Sequence, residues 1–294
     1  MIAHRLRPAI RRWAGLLAAV MTSLGMSAWP RAGSRPISVL ARYDFGAPPA
    51  DRWELPKALD ELSGLAFDPD GRLFGHGDEQ AIIYQLDPAA HRVVKRFAFG
   101  RPAMHGDFEA IAIVGNRVFL STSDGVLYEG AEGRDGEAVP FVTRGTGVGG
   151  RCEVEGLAYD PDDRSLLLAC KEPRVPLLRG RLAVFRWSLD RRALDPAPRL
   201  LVPLSRVTRP LHSAHFHPSE IVRDPATGHF LLLAAREQAI VELTPDGALV
   251  AAARLRGKLH RQPEGLAVAA DGSLLVGDEA AGRRATLTVY RPVR

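Results

Sequence analysis

The chain has 294 residues, 46% hydrophobic and 25% charged, an ordinary globular composition that excludes dominant disorder and is long enough for one large or two small domains. A formal net charge of +5 points toward nucleic acid, yet Arg5, Arg7, Arg11, Arg12, Arg31 and Arg35 all fall in the first 35 residues, which hold no acid. Residues 36–294 keep 33 of the 39 basic side chains against 34 acidic ones, so the main support for a DNA- or RNA-binding function is gone.

Residues 1–35 read as a signal peptide or membrane anchor. Arginines precede an uncharged run from Trp13 to Pro30, the layout of an export signal. Its eighteen residues stand at the lower limit for crossing a bilayer, so a cleaved signal and a retained anchor both remain open, with a buried core helix as the non-export alternative. Arg11-Arg12 resembles a twin-arginine signal without the flanking residues. The positive-inside rule puts everything after Arg31 outside the cytoplasm, in the periplasm or on the outer face of the inner membrane.

From residue 36 onward a single domain is expected, and it repeats. LSGLAFDPDGRLFGHGDEQ, FEAIAIVGNRVFLSTSDG, VEGLAYDPDDRSLLLACKEP, PSEIVRDPATGHFLLLAAREQ and PEGLAVAADGSLLVGDEA align on Ser63, Glu109, Glu155, Ser219 and Glu264, at spacings of 46, 46, 64 and 45 residues. Each unit is an apolar run, a turn rich in Asp, Pro, Asn or Gly, and a second run, which reads as a hairpin. A third run follows in all five units and a fourth in the first four. Four strands per period of about 45 residues is the pattern of a β-propeller blade. The fifth unit ends after its third strand, and PISVLARYDFG (36–46) is the expected donor of the missing strand, closing a five-bladed ring from the N-terminal side. The extra residues of unit three fall in EPRVPLLRGR and SRVTRPLHSAHFHP, which read as loops.

In a propeller the first strands line the channel, so the aligned residues converge on one mouth. Glu109, Glu155 and Glu264 hold three of the five positions; Glu61, Asp107, Glu153, His217 and Gln262 stand two residues earlier, and Glu220 one residue after Ser219. The turns after the second strands add Asp78-Glu79, Asp124, Glu172, Glu237 and Asp278-Glu279 at the same mouth, most of them as solvated surface. Two carboxylates about 5 Å apart repel by roughly 3 kcal/mol at an effective dielectric near 20. Such a ring needs a cation, basic partners or protonation, and hard oxygen donors favour Ca²⁺; the plainer alternative is glutamates that accept backbone or arginine hydrogen bonds. His212, His215 and His217 form a weak metal motif, more simply read as an exposed loop cluster. No nucleophile elbow, phosphate loop, zinc-protease helix or paired C-x-x-C is present.

Taken in order, E-L-S-G-L-A, D-F-E-A-I-A, E-V-E-G-L-A-Y-D, H-P-S-E-I and Q-P-E-G-L-A behind an N-terminal hydrophobic segment resemble the bacterial SdiA-regulated family, itself distantly similar to NHL-repeat propellers. The resemblance covers roughly residues 38–292. It implies an exported or membrane-anchored five-bladed propeller with bound calcium, whose ligands would be Glu109, Glu155 and Glu264, supported by Glu61, Asp107 and Glu153. It implies no activity.

The expected function is a calcium-stabilised envelope module whose mouth binds a small molecule or an envelope protein. The alternative is a metal-dependent hydrolase. A lactonase is disfavoured because the one asparagine, Asn116, falls in a turn; a phytase-like phosphoesterase would draw on Lys171, Arg236 and Arg151. Cys152 precedes the first strand of blade three and Cys170 ends its hairpin partner, so antiparallel pairing brings them close enough for a disulfide, with two separate buried thiols as the alternative.

Overall fold

A computed structural model describes residues 37–293, which form five sheets, antiparallel apart from the short strand Ala138–Val139 that pairs in parallel with Arg92–Phe99, each built on one of the aligned units. Blade one comprises Leu62–Phe67, Leu73–Gly77, Ile82–Asp87 and Arg92–Phe99. Blade two comprises Phe108–Val114, Arg117–Thr122, Val126–Ala131 and Phe141–Gly145. Blade three contains Cys152–Asp160, Ser165–Pro173 and Arg181–Ser188, with its outer edge split between Ala193–Leu194 and Leu200–Pro203. Blade four contains Glu220–Arg223, Phe230–Ala234, Ala239–Leu243 and Leu249–Arg254. The architecture is the five-bladed β-propeller that the period requires.

Blade five is Pro263–Val268, Leu274–Asp278 and Thr286–Tyr290, completed by an N-terminal strand, Asp51–Glu54. Closure therefore comes from the N-terminal side, but the donor is DRWE and not residues 36–46. Asp51 pairs with Val289 and Glu54 with Thr286, burying Trp53. The 36–46 segment instead contains a short 3-10 turn, Leu40–Arg42, because its amides find a side-chain acceptor: Val39 N and Leu40 N donate to the two oxygens of fully buried Glu242, at 2.8 and 3.0 Å. Its apolar residues Val39, Leu40, Tyr43 and Phe45 share a core cluster with the first three strands of blades four and five, mainly their second strands through Leu231, Leu233, Leu274 and Val276.

The long interval of unit three is also more ordered than a loop. It carries a 3-10 turn at Pro176–Leu178 and a helical turn at Leu204–Thr208, whose Leu204 and Val207 pack with Leu211 and Phe216 into the blade three–four core. Five apolar clusters hold the blades, mostly at the contacts between neighbouring sheets. The leader, residues 1–35, lies outside the described residues, and no helix among those described is long and apolar enough to cross a membrane.

Candidate functional site

The five aligned residues occupy one structural position. In blade one the ladder pairs Leu62 with Gly77 and Gly64 with His76, passing over Ser63. It passes in the same way over Glu109, Glu155 and Glu264. In blade four the amide of Ser219 bonds to Leu233, the same residue that pairs with Glu220. Each is the extra residue of a β-bulge or its equivalent, left without a cross-strand partner and re-aimed by the local kink. The next residue is small in four blades because neighbouring inner strands approach there. A Cβ on Gly156 would lie 2.8 Å from Ile221 N, and one on Gly265 2.8 Å from Leu65 Cγ.

The bulges bring Glu109, Glu155 and Glu264 to one cavity of about 130 Å³, together with Glu61, Asp78 and Glu279. Lys171, one residue after Cys170 on the second strand of blade three, is the cation in its wall, and its ammonium is ion-paired with Glu155. Ser63 Oγ donates to Glu109 Oε2 at 3.5 Å, and Gln262 Nε2 donates to Glu279 Oε2 at 2.7 Å. Asp78 Oδ1 is buried without a hydrogen-bond partner among the described residues.

Six carboxyl groups against one ammonium leave the cavity strongly acidic, and the cost appears in their protonation. Burial, followed by the charges of Glu155 and Asp107, pushes Glu109 up to about 9. Burial and Glu155 push Glu264 up to about 8, against the opposing pull of Lys171. Burial takes Glu155 up to about 7, with Lys171 holding it down and Glu153 adding to the rise. Burial and then Glu61 raise Asp78 to about 6. Burial alone would lower the Lys171 ammonium, but Glu155, with Glu264 and Glu109, reverses this and raises it.

Glu220 lies deeper than a mouth residue. It is fully buried, its Oε1 accepts the amides of Ile221 at 2.9 Å and Leu157 at 3.3 Å, and its Oε2 is buried without a hydrogen-bond partner among the described residues. One side chain thus ties the inner strands of blades three and four. Burial, and secondarily Glu264, holds its carboxyl well above the usual range despite these amides.

The remaining sequence candidates divide by location. Asp107 and Glu153 stand close to Glu109 and Glu155, whose carboxyls they help to raise, but outside the cavity wall; Asp107 accepts the Ser123 hydroxyl. Asp124 is on the surface, paired with Arg174 at 2.7 Å. Asp278 turns into blade five, where His260 Nδ1–H donates to it at 2.7 Å and Tyr290 lies 2.7 Å from His260 Nε2, so the acid that reaches the cavity from that turn is Glu279. His217 lines an adjoining cavity of about 250 Å³ with Lys171, Arg236, Arg261, Gln262 and Glu264. Glu237 accepts both the His217 amide and its Nδ1–H, and Glu172 accepts from Arg236 at 2.8 Å. Arg151 bonds to Pro196 O and faces Phe185, away from both cavities. Cys152 and Cys170 form a disulfide with a Cα–Cα distance of 5.6 Å, stapling the two strands that carry Glu155 and Lys171.

The role of Lys171 as an internal counter-ion was not legible in the sequence, where it stood as one of several basic residues near the mouth. The one available signal was its position directly after Cys170, on the strand opposite Glu155.

No family model matches the chain. Its fold is similar to that of several solved structures. Glutaminyl cyclase from Myxococcus xanthus is 18% identical with a TM-score of 0.56, covering 84% of this chain and 97% of that one. The PQQ-bound aldose sugar dehydrogenase from Streptomyces coelicolor is 15% identical at TM-score 0.51, covering 83% and 99%. A luciferin-regenerating enzyme is 9% identical at TM-score 0.50, covering 82% and 93%. At these identities the likeness is one of fold alone.

Proposed function

We propose that the acidic mouth is a calcium site and that the propeller is a binding module, presenting that mouth to a small molecule or protein outside the cytoplasm. The observation that carries this reading is the convergence of three bulge glutamates from blades two, three and five on a cavity with one lysine. The donor chemistry fits a hard divalent cation: carboxylate oxygens, an unpartnered buried Asp78 oxygen, and groups that burial and mutual repulsion drive toward protonation when no cation is bound. Glu109, Glu155 and Glu264 would hold the ion. As placed, no three acidic or histidine side chains among the described residues meet at ligating distance, so binding draws the carboxylates inward and competes with Lys171 for Glu155. The ion would supply positive charge that fixes the channel mouth, while the chain's own residues set its shape. The SdiA-regulated resemblance and the export layout of residues 1–35 agree with this reading.

Thermal melts in chelator and in excess calcium test it. Calcium is expected to raise the midpoint by several degrees, since a ligand bound only by the native state stabilises by mass action. Glu109→Gln, Glu155→Gln and Glu264→Gln should each reduce that gain, and unchanged melting throughout would reject the metal.

One observation favours a metal-dependent phosphoesterase as a second reading. The basic cavity shares Lys171 and Glu264 with the acidic one, placing cationic groups for an oxyanion next to the proposed ion. Chelator-sensitive turnover of p-nitrophenyl phosphate would replace the binding module with this enzyme. Asn116 stays in an exposed turn, which gives a lactonase no support.

A further inference from the structure

The channel has a second mouth of opposite character. Two or three residues beyond the bulges, Leu65, Ile111, Leu157, Ile221 and Ala267 from all five inner strands line a cavity of about 360 Å³ that shares no residue with the acidic one. Its two charged side chains are already paired. Asp68 accepts the amides of Asp70 and Arg72 on one oxygen, and its other oxygen is ion-paired with the Arg72 guanidinium. Arg223 is held by Asp160 at 3.3 Å and by Asp162 at 2.5 Å. Tyr159 carries the one uncharged side-chain polar group of the lining.

We propose that this second mouth binds a small, uncharged, apolar molecule. A charged ligand would find no free counter-charge on the walls and would lose its hydration on entry. The cavity is too small to take a helix, because one helical turn with side chains fills roughly 400–600 Å³, from a diameter of about 10–12 Å and a pitch of 5.4 Å. A cavity of about 150 Å³ with apolar walls already takes benzene, so the volume here suits a fused aromatic ring system or a short aliphatic chain. The site is distinct from the acidic mouth, with which it shares no lining residue.

The test is fluorescence titration of the full chain with the uncharged probe N-phenyl-1-naphthylamine. Saturable enhancement at one probe per chain, displaced by 1-decanol and unaffected by either chelator or excess calcium, is expected. The sulfonated analogue 1-anilinonaphthalene-8-sulfonate should bind at least tenfold more weakly. Val222→Asp, in the wall, should weaken the neutral probe at least tenfold. Ala270→Trp, at an exposed rim position outside the core, should do the same by filling the opening and serves if the first variant does not fold. Absence of saturable binding, equal affinity for the two probes, or unchanged affinity in folded Ala270→Trp would overturn the proposal.

Discussion

Lys171 places its ammonium on Glu155 across the first hairpin of blade three, at the point where the bulge frees Glu155 from the ladder. Glu155 is buried and Lys171 half-buried, so the acidic mouth has one internal counter-charge whose removal exposes the full repulsion of its neighbours. Lys171→Met should therefore destabilise the protein by about 1–3 kcal/mol at pH 8, less than the usual cost of orphaning a buried charge because Glu155 can take up a proton instead. Denaturant unfolding at pH 6 and pH 8 measures this, and an equal loss at both pH values would contradict it.

The raised carboxyls give stability a definite slope with pH. Glu109 and Glu264, at about 9 and about 8, bind protons in the native state that the unfolded chain releases near its ordinary carboxyl range. Between roughly pH 5 and 9 the native state holds more protons than the unfolded one, so in chelator the melting temperature should fall as pH rises through that window. Glu109→Gln should flatten the fall. A melting temperature that rises from pH 6 to pH 9 would show that these groups are ionised in the native state.

Glu220 is a structural tie whose charge contributes nothing favourable. Glu220→Gln keeps an acceptor for the Leu157 and Ile221 amides and should cost no more than about 1 kcal/mol. Glu220→Ala unpairs both amides and leaves a void between the inner strands of blades three and four, so its cost should reach about 2–4 kcal/mol. Equal losses in the two variants, measured by urea unfolding, would place the role in the charge.

The disulfide closes a loop of separation 18 and should contribute about 3 kcal/mol by restricting the unfolded chain. Cys152→Ser is expected to lower stability by that order and also to weaken the calcium-dependent gain in melting temperature, since the staple joins the strands bearing Glu155 and Lys171. Two reactive thiols in unreduced, unfolded protein would refute the pairing.

Blade number, strand order and the alignment of Ser63, Glu109, Glu155, Ser219 and Glu264 were legible in the sequence, because a repeated supersecondary unit imprints its period on local composition and turn chemistry. The choice of closing strand was not. The apolar run at 36–46 reads as the closing strand, and only the distant Glu242 carboxylate, more than 200 residues away in sequence, diverts its amides from a ladder.

The site divides along the same line. Sequence by itself determined that glutamates recur at one place in the blade, since that follows from spacing. Tertiary structure decided that the place is a bulge, that Lys171 answers Glu155, that Asp278 turns to His260 while Glu279 reaches the cavity, and that Glu220 belongs to the axis. Each of these depends on a one-residue change of side-chain direction or on a partner from another strand or blade. A strand's period of two records which face a residue should take, but a bulge shifts that face, and the partner waiting there is set by how five separate sheets meet.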